Sequence, residues 1–140
     1  MKAVFCGDIF NTKDLIGNIF FKQAIQRVSN GRYKIEFMAQ NNVDQNSTHH
    51  SIKDNDLMGV AKADVGIFAF DGIDLDSGTV VEFIAAKMLD IPSVVYRSDF
   101  RGGSGEETSC EGGEPTNKWN LMVSNYPRTN IVYFNGMVEY

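Results

Sequence analysis

The chain has 140 residues, 43% of them hydrophobic and 22% charged, with a formal net charge of −5; one domain spanning residues 1–140 around a single core is expected. The acidic balance argues against nucleic-acid binding, which needs a basic footprint, and weakly against anionic membrane surfaces. No apolar run approaches the roughly 20 residues of a membrane-spanning helix, and the opening Met1-Lys2-Ala3-Val4-Phe5-Cys6-Gly7 turns polar at Asp8, too early for a signal peptide, so a cytoplasmic location is expected.

Lys2 to Cys6 reads as a short buried strand and Gly7 to Lys13 as a polar turn. From Asp14 to Val28 the apolar residues Ile16, Phe20, Ala24, Ile25 and Val28 recur at helical spacing, and Asn30-Gly31 ends that helix. Tyr33 to Met38 alternates Tyr33, Ile35 and Phe37 with Lys34 and Glu36, as a half-covered strand does. A polar loop, Gln40 to Thr48, leads to a helix over Ser51 to Lys62 with Ile52, Leu57, Val60 and Ala61 on its apolar side. Val65 to Phe70 is an unbroken apolar run, the mark of a strand covered on both faces. A helix opening at Asp76-Ser77 and ending near Asp90 follows, then a short buried strand, Ser93 to Tyr96.

Arg101 to Asn117 is unlike the rest, with five Gly, four Glu and one Pro. Such a stretch is either a binding element or a surface loop without a role. Structure resumes from Trp119 to Tyr126, and Asn130 to Phe134 predicts a last strand.

Alternating strands and helices predict a parallel sheet covered on both faces, with ligands at the carboxyl ends of the strands. The loops at those ends hold Gly7-Asp8, Gln40-Asn41-Asn42, Asp71 to Asp76, and Arg97 to Arg101. A Rossmann nucleotide site is disfavoured, because the first turn lacks the three-glycine pattern and Asp8 would repel a phosphate.

The segment Asp76-Ser77-Gly78-Thr79-Val80-Val81-Glu82 carries the sharpest chemical signal. Asp76 and Ser77 are suited to start a helix, because short oxygen-bearing side chains accept hydrogen bonds from its free N–H groups. Glu82 then stands among Val80, Val81, Phe83 and Ile84, with the small residues Gly78, Thr79, Ala85 and Ala86 as its helical neighbours. An ionised group is expensive to bury alone, so Glu82 is either a functional carboxylate or half of a structural ion pair. Asp56 reads equally as a solvated surface residue. Arg97 and Arg101 would suit a phosphate, or would pair with the surplus carboxylates. His49-His50 lack a second ligand pair, and no metal is expected. Cys6 and Cys110, without metal-like spacing, read as free thiols, and neither has a His nearby in sequence to make it a nucleophile.

Five segments, Val4-Phe5-Cys6-Gly7, Asn55-Asp56-Leu57, Asp76 to Glu82, Trp119-Asn120-Leu121-Met122 and the tail ending at Tyr140, occur in an order and on elements that resemble the nucleoside 2-deoxyribosyltransferases over nearly the whole chain. The resemblance implies an α/β fold with a flavodoxin-like, doubly wound parallel five-stranded sheet and helices on both faces. It implies transfer of 2-deoxyribose between nucleobases through a covalent intermediate, with deoxynucleosides and free bases as partners and no cofactor. Glu82 would be the nucleophile, Asp76 would manage the proton on the base, and Asp56 would hold the sugar. Gly7 and Gly78 fall at substrate-binding positions. Asn120, with the terminal carboxylate of Tyr140, would bind the sugar's primary hydroxyl in a neighbouring subunit of a homo-oligomer.

Two departures from the family pattern stand out. Many members have a tyrosine in the first strand that hydrogen-bonds the nucleophile; here the position is Phe5, so another group or water is expected to fill in. The base-reading loop aligns only loosely with Gln40-Asn41-Asn42, where Asn42 either contacts the base or shapes the turn. Two alternatives remain open: an N-hydrolase of deoxynucleoside monophosphates from the same superfamily, and a nucleoside-binding module without catalysis.

Overall fold

The alternating and unbroken apolar segments build the sheet, and the segments between them return as helices. A computed structural model of the chain describes residues 1–37, 47–72, 74–98 and 119–133. Along the chain come β1 (Lys2–Cys6), α1 (Thr12–Val28), β2 (Lys34–Phe37), α2 (His49–Ala61), β3 (Val65–Ala69), α3 (Ser77–Met88), β4 (Ser93–Arg97), a 3-10 turn (Leu121–Val123) and β5 (Thr129–Tyr133). The strands lie in the order β2-β1-β3-β4-β5, every neighbour parallel. This is the flavodoxin-like doubly wound arrangement, and the direction of winding reverses between β1 and β3, where such sheets open a crevice at their carboxyl ends.

Strand parity divides the core in two. Val4 and Cys6 of β1 face one side with Phe68, Phe70 and Val95, against Val60 of α2 and Phe83 and Ala86 of α3; Trp119 and Val123 complete this layer. Ala3 and Phe5 face the other side with Ile35, Phe37 and Ile67, against Phe21 and Ile25 of α1. Gly66 in β3 is required by its neighbour: a Cβ there would lie 2.4 Å from the Phe68 ring.

The starts of α1 and α2 fall two residues earlier than the periodicity predicts, because caps set them, while α3 opens at Asp76-Ser77 as expected. Asn11 accepts from the Asp14 N–H. Thr48 and Ser51 form a reciprocal capping box at the head of α2. Asn30 (φ 50°) and Gly31 (φ 73°) turn the chain through the left-handed region after α1, as their sequence predicts.

The buried stripe of α1 differs from the expected one. Ile16, Phe20 and Val28 are exposed, while Asn18 is 5% exposed. The cause is tertiary. The Asn18 carboxamide donates to the Asp8 carbonyl at 2.8 Å, holding the β1–α1 turn. Phe21 packs on Phe5 and stacks on Tyr96. Arg97 is no open phosphate clamp either. The residue is 2% exposed, and its guanidinium donates to the carbonyls of Phe70 (3.1 Å) and Gly72 (2.8 Å). Asp71 accepts from the N–H and Oγ of Ser98, so the ends of β3 and β4 are tied together by side chains. Among the described residues no helix is long and apolar enough to cross a membrane.

Candidate active site

A cavity of about 460 Å³ opens where β1 ends and α3 begins, beside the switch point of the sheet. That volume suits a small organic ligand. Its apolar wall is made by Phe5, Ile9, Phe10, Phe37 and Ile52, and its polar wall by Asp56, Asp76, Ser77, Thr79 and Glu82, with Cys6, Gly7 and Gly78 between them. Three carboxylates reach it from different places: Asp56 from the middle of α2, Asp76 from the head of α3, and Glu82 from the second turn of α3.

Asp76 caps α3. Its Oδ2 accepts from the Thr79 N–H at 2.7 Å and from the Thr79 hydroxyl at 2.8 Å. A Cβ on Gly78 would approach Oδ2 to 3.2 Å, so glycine leaves the capping oxygen its room. At Gly7 a Cβ would meet the Ala69 Cβ at 2.9 Å, and glycine lets the chain leave β1 close against β3. Because Asp76 both caps the helix and lines the cavity, its two roles separate by substitution. Asp76→Ala is expected to lower stability by about 1 kcal/mol through the lost cap. Asp76→Asn keeps a capping oxygen and should melt close to the parent by circular dichroism. Both should lose activity wherever the acid is needed, and equal melting losses in the two variants would contradict this division.

Glu82 is half-buried. Burial pushes its carboxyl up to about 7; the hydrogen bond from Cys6 pulls it down, and the charges of Asp56 and Asp76 push it further up. Among the described residues the groups acting on Glu82 are thus a thiol and two carboxylates, none of them a cation, unlike a structural ion pair. The Cys6 thiol is itself driven well above its ordinary value, by burial first and then by the neighbouring Glu82 charge. It stays protonated and serves as a donor, not as a thiolate.

The structure therefore brings Gly7, Asp56, Asp76, Gly78 and Glu82 to one cavity. Asn120 is elsewhere: it is exposed, and its side chain accepts from the Met122 N–H at 2.9 Å at the start of the 3-10 turn. Asn42, Tyr140, Arg101, Cys110 and the whole 101–117 segment lie outside the described residues. Of the groups expected at the strand ends, Asp8, Asp71, Asp74 and Arg97 do not line the cavity. Cys6 was the residue that sequence reasoning passed over; only its parity with Val4 on a strand pointing at α3 could have signalled it.

No protein-family model matches the sequence, and a search of curated proteins finds no match. Solved structures do match. The chain superposes on a conserved protein from Enterococcus faecalis with a TM-score of 0.72 at 19% identity, covering 96% of this chain and 91% of that one. It superposes on a 2-deoxyribosyltransferase from Bacillus psychrosaccharolyticus with a TM-score of 0.67 at 19% identity, covering 100% and 92%. A CMP N-glycosidase from Clostridium botulinum gives a TM-score of 0.62 at 8% identity, covering 100% and 94%. At these identities the likeness establishes the fold.

Proposed function

We propose that the chain is a nucleoside 2-deoxyribosyltransferase that moves 2-deoxyribose between nucleobases by way of a glycosyl ester on Glu82. The observation that carries this reading is the convergence of Glu82, Asp76 and Asp56 on one cavity whose polar wall, among the described residues, contains no Lys, Arg or His. The likeness to a 2-deoxyribosyltransferase of the same fold supports it.

The chemistry follows from the charges. Breaking an N-glycosidic bond leaves positive charge on the anomeric carbon, and a carboxylate beneath the ring stabilises that charge and captures it. A Glu82 oxygen bonds to the anomeric carbon as the bond to the base breaks, and the electron pair of that bond departs with the base. Asp76 donates a proton to the base so that it leaves neutral. In the second half-reaction a nitrogen of the incoming base bonds to the same carbon, the ester bond returns its electrons to Glu82, and Asp76 takes the proton back. Asp56, across the cavity, accepts a hydrogen bond from a sugar hydroxyl. Two inversions return the sugar to its original configuration. Asn120, which is not among the residues lining the cavity of its own chain, would serve the site of an adjacent copy.

The three carboxylates that line this wall favour neutral nucleosides over nucleotides, since a 5′-phosphate would meet them. The test is to incubate the protein with a 2′-deoxynucleoside and a different free base and follow both by chromatography. A new deoxynucleoside should form, with slow hydrolysis when no acceptor is present. Turnover confined to 5′-monophosphates would transfer the assignment to an N-hydrolase of deoxynucleoside monophosphates; the Clostridium botulinum structure of this fold is named a CMP N-glycosidase. Binding without turnover would leave a nucleoside-binding module.

A further inference from the structure

We propose that Cys6 is the positioning residue of this site, its thiol donating the hydrogen bond that aims the Glu82 carboxylate into the cavity. The inference rests on the reading of Glu82 as nucleophile, and three observations carry it. First, parity sends adjacent residues of β1 to opposite faces. Phe5 is 1% exposed and engaged with Phe21, Phe37 and Tyr96, whereas Cys6 lies with Phe68 and Phe83 in the layer beneath α3. The residue of β1 that faces the helix bearing Glu82 is therefore a thiol. Second, Cys6 and Glu82 line the same cavity, and the electrostatics of Glu82 carry the mark of a donor at Cys6, which pulls its carboxyl down against burial. Third, Cys6 is 2% exposed, so its thiol is held by packing and has little access to water as an alternative acceptor.

A thiol is a weak donor, but its task here is directional. The groups facing Glu82 are Cys6 from β1, Asp56 from α2 and Asp76 from the head of α3. Both carboxylates oppose its ionisation, as does burial; among the described residues the thiol alone favours the ionised form that must attack. Burial and the acidic neighbours keep the thiol protonated, so it can donate throughout the working pH range.

The experiment compares the intact protein with Cys6→Ala, which removes the donor, and Cys6→Ser, which keeps one. Base-exchange kinetics and pH profiles would be measured on variants shown by circular dichroism to fold. In Cys6→Ala, kcat is expected to fall about fivefold to tenfold near neutral pH, with the acidic limb of the profile displaced upward and KM little changed. Cys6→Ser should recover most of the loss. A second readout needs no turnover: titration of the Glu82 side-chain carboxyl by carbon-13 NMR should show its midpoint rising in Cys6→Ala and returning toward the parent in Cys6→Ser. A protein that exchanges no bases but shows this displacement would refute the transferase assignment while retaining the bond. A Cys6→Ala variant with the parent's kcat, pH profile and carboxyl midpoint would overturn the proposal.

Discussion

Glu82→Ala is expected to abolish base exchange, with a loss of about 10⁴-fold or more, in a protein that remains folded. The magnitude follows from the role: when the nucleophile is removed no covalent route remains, and the residue of activity comes from the rest of the site. The fold should survive because the substitution places a good helix former in the interior of α3. It also removes a half-buried carboxyl with no cation acting on it among the described residues. Chromatographic exchange rates combined with circular dichroism provide the check. Mass spectrometry of the parent after brief exposure to a deoxynucleoside should show the added deoxyribosyl mass, and the alanine variant should lack it. Exchange within tenfold of the parent would end the Glu82 mechanism.

Glu82→Gln should make the protein more stable at alkaline pH and leave it nearly unchanged in acid. The sign is fixed by linkage. A carboxyl raised to about 7 on folding holds its proton in the folded state at pH values where the unfolded chain has released it. Stability therefore falls as pH rises from the ordinary carboxylate range through about 7, and it stays reduced above that. The loss at pH 8.5 is about 3 kcal/mol, an upper bound for a group that water still reaches. Glutamine has nothing to ionise and escapes this loss. Denaturant unfolding at pH 4, 5.5, 7 and 8.5 should show the gap between the variants opening along that series. A gap of equal size at pH 4 and pH 8.5 would mean that contacts other than this ionisation distinguish them. The same ionisation should make exchange by the parent rise with pH through about 7, since only the ionised form attacks.

The sheet was legible because its residues carry local signals. The run Val65–Ala69 and the alternation of Ile35 and Phe37 with Lys34 and Glu36 mark buried and half-buried strands in any context. Two starts were displaced because Asn11 and Thr48 look like loop residues until their side chains are seen to accept from the helices that follow. The face of α1 was misread for a different reason. Leu15, Ile16, Ile19, Phe20, Phe21, Ala24, Ile25 and Val28 put apolar groups around most of that helix, so periodicity alone did not select a side. The Asn18 bond to Asp8 and the Phe21 contacts with Phe5 and Tyr96 selected it.

The acidic part of the site was legible for the opposite reason. A Glu among Val80, Val81, Phe83 and Ile84 conflicts with burial, and such conflicts mark places where chemistry has overruled packing. Arg97 gave the reverse impression. An arginine at a strand end in sequence reads as a ligand clamp, yet its two terminal nitrogens donate to the carbonyls of Phe70 and Gly72, which belong to the exit from β3 and could not be assigned to it beforehand. Cys6 carried no local signal at all, since a cysteine in a buried strand is an ordinary small hydrophobe.

The helix that bears Glu82 is fastened at both extremities. At its head the Asp76 oxygen grips Thr79. Near its tail the Lys87 ammonium reaches the Thr129 hydroxyl and the carbonyls of Pro127 and Arg128, at the entry to β5. A rod moored in this way cannot swivel without slipping one mooring, so the bearing of its carboxylate is set by the fold itself before any ligand enters the cavity.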